Sequence, residues 1–206
     1  MKLWTDFARV LTLQLPDCPE FTIGNAVQRA ATEFYTNTRA WRLGGVTLAT
    51  TVASQRAYTV ASNPANADLI GLPATWIDGE EADELPDGAG EDYAATDTSS
   101  INMVGVTGAT SITLAPAPIT AGLIVTATAA YAPSTAATGI SDELYRLHRQ
   151  AIEAKALAAL MMMRGKPWFD PAGSRMARAD YDSEALFVSS QAGPMRRRGN
   201  LRTRAV

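Results

Sequence analysis

Two long stretches of helical periodicity bracket a middle that sustains no helical period at all, and this order limits the chain to a helical frame carrying a β insert. Residues 23–41 place Ile23, Ala26, Val27, Ala30, Ala31, Phe34, Tyr35, the methyl side of Thr38 and Trp41 on one face of a helical repeat. The second stretch opens at Ser141, an N-cap residue with Asp142 and Glu143 in the first turn, and continues to Met163. Its main stripe is Leu144, Leu147, Ala151, Ala154, Ala158 and Met161, flanked by Ile152, Ala156, Ala159 and Met163. So many alanines permit close helix approach, which places this element centrally in the helical layer. A shorter helix is expected over residues 3–14, stopped before Pro16. A last one starts from Asp170 as N-cap and Pro171 as first helical residue, and runs to Ser189.

From Val46 the pattern turns β-branched and alternating. Strands are expected over 46–52, 57–61, 69–72, 75–78, 101–106, 111–114 and 123–131, with Thr107-Gly108-Ala109 as a hairpin connection. The acidic, Gly- and Pro-containing stretch 79–99 is expected as an exposed loop. The fold class that follows is α+β. A helical bundle is built from residues 1–43 and 140–192, an all-β sandwich or barrel-like unit is inserted at 44–139, and an extended tail covers 193–206. Phe34, Trp41, Leu144, Leu147 and Trp168 are the expected core anchors of the helical part.

With 206 residues the chain has room for one domain with a real core and a sizeable insertion. No basic, apolar and small-residue succession marks a signal peptide at the start. The most apolar helical run, 151–163, is too short for a membrane span of ~20 residues and carries Glu153 and Lys155, so no membrane is expected as a partner. The single Cys18 excludes an intrachain disulfide and any cysteine-rich metal site, and its Pro-flanked setting reads as a structural thiol.

The net charge of −3 is unevenly spread: Arg196, Arg197, Arg198, Arg202 and Arg204 give the last eleven residues +5 with no acid, leaving −8 for the rest. Nine acids fall between residues 78 and 97 without an intervening base: Asp78, Glu80, Glu81, Asp83, Glu84, Asp87, Glu91, Asp92 and Asp97. Separated charge of this kind suits a molecule that meets partners at different places.

No catalytic or cofactor motif is complete along the chain. One histidine, His148, precludes a two-histidine zinc site, and its neighbours Arg146 and Arg149 place it on the polar flank of the second helix. Gly165-Lys166-Pro167 lacks the glycine spacing and the hydroxyl residue of a phosphate-binding loop. Gly105 to Gly108 lacks the strand-to-helix context of a nucleotide loop. The acids of 83–92 lack the alternating ligands and closing glutamate of a calcium loop, and carboxylates on an exposed loop do not make a paired-carboxylate hydrolase. The expectation is a protein that is not an enzyme, with no catalytic residue, cofactor or metal. The arginine tail admits three readings: a plain solvated tail, an arm on duplex phosphates, or an arm that orders on a protein partner.

Several segments carry a family likeness. Leu15-Pro16-Asp17-Cys18-Pro19, then Ala26-Val27-Gln28-Arg29-Ala30 and Phe34-Tyr35-Thr36-Asn37-Thr38-Arg39-Ala40-Trp41, resemble the head–tail adaptor (connector) proteins of tailed bacteriophages. Leu114-Ala115-Pro116-Ala117-Pro118, Tyr131-Ala132-Pro133, and Leu160 to Met163 followed by Lys166-Pro167-Trp168-Phe169-Asp170-Pro171 continue the likeness in order. It covers the chain to about residue 190 and stops short of the tail.

The resemblance implies a virion protein of the neck, made in the host cytoplasm, forming a closed ring of about twelve copies beneath the portal. Such a ring extends the channel for double-stranded DNA and presents a surface to a downstream tail, stopper or nozzle protein. The helices would build the ring wall. The five arginines from Arg196 to Arg204 would form an arm that docks on the portal protein. The alternative is a DNA-binding accessory protein gripping duplex phosphates with the same arm.

Overall fold

A computed structural model describes residues 1–60, 63–85, 101 and 103–191. The fold is α+β. Among the described residues there are four helices, a two-stranded ladder and a seven-stranded sheet that curls into a half-barrel. In chain order these are β1 (Lys2–Leu3), α1 (Trp4–Gln14), α2 (Glu20–Thr38), β2 (Trp41–Thr50), β3 (Ala57–Thr59), β4 (Ala67–Ile77) and β5 (Glu80–Glu84). They continue with β6 (Met103–Gly108), β7 (Ser111–Ala115), β8 (Ile124–Pro133), β9 (Gly139–Ile140), α3 (Asp142–Met161) and α4 (Pro171–Gln191). Contacts divide the described chain into two compact units, one of residues 1–42, 63–70 and 130–191, the other of 43–60, 71–85, 101 and 103–129.

In the first unit α2 packs against α1, α3 and α4, and α3 packs against α4. The core runs through Phe7, Leu11, Ile23, Val27, Phe34, Tyr35, Ile152, Ala156 and Leu160. Three of the four helix starts are closed by a side chain. Asp6 accepts a hydrogen bond from the Leu3 amide at 3.0 Å and so closes the first turn of α1. Ser141 caps α3 by accepting from the Leu144 amide at 3.3 Å. Asp170 Oδ1 accepts from the amides of Ala172 and Gly173, both at 3.0 Å, with Pro171 in the first helical position. The chain before α1 is tied to the chain before α3: β1 pairs antiparallel with β9, and the Trp4 indole donates to the Ala137 carbonyl at 2.7 Å.

The seven-stranded sheet has the order β2-β8-β4-β5-β6-β7-β3, with most of its residues in the second unit. Neighbouring strands are mostly antiparallel, but β5 and β6 run parallel. Leu48, Tyr58, Leu72, Ile77, Val104, Ile112, Leu114, Val125 and Ala127 are buried along it, every second residue in β7 and the first part of β8.

Four expectations need correction. Helix α2 ends at Thr38, because Arg39 adopts a left-handed conformation (φ 49°) and its amide caps the helix on the Tyr35 carbonyl at 2.8 Å. Trp41 therefore opens β2 instead of closing a helix, and it packs against the core half-buried. Leu147 is not a core anchor: it is 66% exposed. His148 does not sit free on a polar flank, for its ring lies against Phe34 and Tyr35 at 5.2 and 5.6 Å between centroids. Finally, the acidic stretch is not loop throughout. Asp78 and Gly79 both take positive φ, turning the chain so that Glu80–Glu84 pairs back on β4. Ala82 and Leu85 are buried there while the acids remain exposed.

Candidate functional site

The residues assigned to docking, Arg196, Arg197, Arg198, Arg202 and Arg204, lie outside the described residues, as do Asp87, Glu91, Asp92 and Asp97 of the acidic stretch. Of the expected anchors, Phe34 and Leu144 are buried and Trp168 is half-buried against the core. Asp78, Glu80, Glu81, Asp83 and Glu84 are described and exposed on the β4–β5 hairpin, and the helical unit carries hollows on its surface.

One is a groove of about 680 Å³ formed by α1, α3 and α4. Leu11, Leu157 and Ala177 are buried side chains at its base. Gln14, Gln150, Glu153, Asp180, Ser183 and Glu184 make its polar border, and Phe187 closes one end at 59% exposure. The lining thus carries three carboxylates and no basic side chain. Glu153 is engaged by Arg149, whose Nε donates to it at 2.6 Å, and this raises the arginine's affinity for its proton. Asp180 and Glu184 are separated by one helical turn on α4 and face outward from the same side. A smaller hollow lies between α2 and α3, where Lys155 reaches across to Glu33 and over the Tyr181 ring.

The interior of the unit is rich in aromatic contacts. Phe34 meets Tyr35, His148 and Tyr181, and Trp41 meets Tyr35 and Tyr131. Burial disfavours charge on three groups here: it lowers the pKa of His148 and raises those of Tyr35 and Tyr131. Cys18, buried and free, is pushed up for the same reason and is a poor nucleophile. His148 is thus a neutral packing residue.

Large apolar side chains are also left in solvent on all four helices: Leu13 on α1, Phe21 on α2, Leu147 on α3, and Met176, Leu186 and Phe187 on α4, each more than half exposed. None of these was singled out as exposed from the sequence, and Leu147 was assigned to the core. The signal available was the length of α4, whose 21 residues bury only Ser174, Ala177 and Tyr181. A helix with so narrow a buried face has surface to spare for another molecule.

Among the described residues no group of three or more His, Cys, Asp or Glu side chains is arranged to hold a metal ion, and no helix is long and apolar enough to cross a membrane. No protein-family model matches the chain, and a search of curated proteins gives no match either.

Proposed function

We propose that the chain is a structural virion protein: a head–tail adaptor whose copies form a ring beneath the portal, extend the DNA channel and offer an attachment surface to the tail or stopper. In this reading the four packed helices are a bundle that forms the ring wall, and the half-barrel sheet with its acidic strand faces the next component. The ordered sequence likeness from Leu15 to Pro171 brings in the family. The observation that carries the assembly part is the set of six large apolar side chains exposed across α1 to α4. Single exposed apolar residues are ordinary on a monomer, but a surface this provisioned marks a contact with other chains.

The arm from Arg196 to Arg204 supplies the docking half of the proposal. Guanidinium groups form paired hydrogen bonds with carboxylates, so an arginine arm orders on a portal surface that presents acids. Co-sedimentation of the protein with its cognate portal tests this. The full chain pellets with the portal, and a chain ending at Pro194 remains in the supernatant while keeping its melting transition. Retention of the shortened chain on the portal contradicts the assignment of the arm.

Five arginines without an acid also favour a second reading, an accessory protein bound to duplex DNA. That reading requires affinity that falls with salt at a slope of about −0.9 per phosphate neutralised. Absence of retention on duplex DNA at low salt removes it.

A further inference from the structure

The turn that joins α3 to α4, residues 162–169, and the groove that α1, α3 and α4 enclose are opposite in charge, and both are partly apolar. We infer that the groove is the seat for this turn of a second copy, so that copies join head to tail. The contact deepens the ring reading by naming the two surfaces that meet, and it rests on that reading only for closure into a ring.

The turn is cationic and apolar at once. Met162, Met163 and Phe169 are each more than a third exposed, and Arg164 and Lys166 are exposed between them. Residues 162–169 contain no acid. The next acid in the chain, Asp170, is occupied by the amides of Ala172 and Gly173. Among the described residues neither Arg164 nor Lys166 is ion-paired, and Lys166 rests over the Trp168 ring at 6.0 Å.

The groove matches it in both respects. Its lining holds Glu153, Asp180 and Glu184 and no base. Glu153 is engaged by Arg149, while Asp180 and Glu184 have no basic partner among the described residues. These two stand about 6 Å apart along α4. Arg164 and Lys166, two residues apart and so at most ~7 Å between α-carbons, can meet both. Leu11, Leu157 and Ala177 at the base and the exposed Phe187 offer apolar surface to the methionines, whose thioethers pack well against aromatic rings.

The occupant has to come from another copy. Three backbone hydrogen bonds fasten the turn between its helices. The Met163 amide donates to the Leu160 carbonyl at 3.0 Å, Phe169 to Lys166 at 3.1 Å, and Asp170 to Met161 at 2.9 Å. Glu153 lies eight residues, about 12 Å, before the end of α3 at Met161. Asp180 lies nine residues, about 14 Å, after the start of α4 at Pro171. A turn held in this way cannot bend back onto the groove of its own helices. Because the two surfaces differ, the contact is heterologous, and each added copy offers a fresh turn and a fresh groove.

Disulfide trapping in the full-length protein, with no portal present, tests the contact. One protein carries Pro167→Cys in the turn and the other Ser183→Cys at the groove border, while the native Cys18 is buried. Seating of the turn raises the effective concentration of the two thiols, so the 167–183 link should form about tenfold faster than a control link. The control pairs Pro167→Cys with Thr36→Cys, an exposed position on α2 outside the groove. Adding Asp180→Lys and Glu184→Lys to the groove partner should lower the rate to that of the control. Arg164→Glu with Lys166→Glu in the turn partner should then restore it, which a misfolded groove would not allow. Equal rates for the 167–183 and 167–36 links overturn the inference. So does a groove reversal that leaves the faster rate unchanged, or a failed restoration when both variants keep their melting transition. The ring reading is judged apart from this contact. A ring beneath the portal whose copies give no 167–183 link overturns the contact alone. A 167–183 link with no such ring supports the contact and contradicts the adaptor.

Discussion

Phe34 and Leu147 show how differently two apolar side chains can be worth their place. Phe34 is fully buried and touches the rings of Tyr35, His148 and Tyr181. Phe34→Ala is expected to cost ~3–5 kcal/mol, a large share of a domain's ~5–15 kcal/mol, as a lowered midpoint in urea unfolding. Leu147→Ala, at 66% exposure, stays within ~0.5 kcal/mol by the same measurement. Leu147 and His148 take each other's expected places for one reason. The buried side in the first turns of α3 runs Leu144, His148, Ala151 and Ile152, which is a helical period with a histidine as one member. A reading that gives polar residues to solvent hands that place to Leu147. Burial among aromatic rings penalises the protonated imidazole more than the neutral one. Because burial lowers the folded pKa below the unfolded value near 6.5, the unfolded state binds the proton more readily. This contribution to stability is complete above pH ~6.5 and is lost as pH falls below it. In His148→Leu the decline of the urea midpoint from pH 6.5 downward should be shallower than in the native protein. Parallel declines would remove His148 from the acid response.

Elements were legible where a pattern was long and absent where structure depended on a partner far along the chain. The caps of α3 and α4 stood in the sequence as Ser141 and Asp170-Pro171, because capping is local chemistry. The end of α2 did not: Arg39 in a left-handed conformation is a stop that glycine usually provides, and Trp41 continued the apolar period by coincidence. The acidic strand β5 had a signal that its charge concealed. Asp78-Gly79 is a favoured two-residue hairpin turn, and Ala82 and Leu85 are the inward residues beyond it. The β1–β9 ladder had none, since two-residue strands carry no period, and Gly139 is visible only in its consequence. A side chain at Gly139 would run into the Lys2 carbonyl oxygen. Gly139→Ala should therefore cost ~1–3 kcal/mol in thermal or urea unfolding and loosen the attachment of α1 through Trp4. An unchanged midpoint would mean the ladder adds nothing to the unit.

At the scale of the molecule, the sequence carried the class of fold, helices flanking a β insert, because alternation and helical periodicity are properties of long segments. The curl of the sheet and the parallel pairing of β5 with β6 were not readable, since strand neighbours are fixed by contacts between distant residues. The groove on the helical unit was equally hidden: it takes Leu11, Leu157 and Asp180 from three helices, and no spacing in the chain links them. Under the adaptor proposal, the exposed apolar residues on every helix and the arginine arm are the surfaces that neighbouring chains would cover. The most direct measurement is cryo-electron microscopy of the purified protein mixed with its cognate portal. The adaptor account predicts a ring of density below the portal, with α1 to α4 in its wall and the arginine arm ordered along the portal surface. Particles of bare portal beside free protein, at concentrations well above those of the assembled neck, would contradict it.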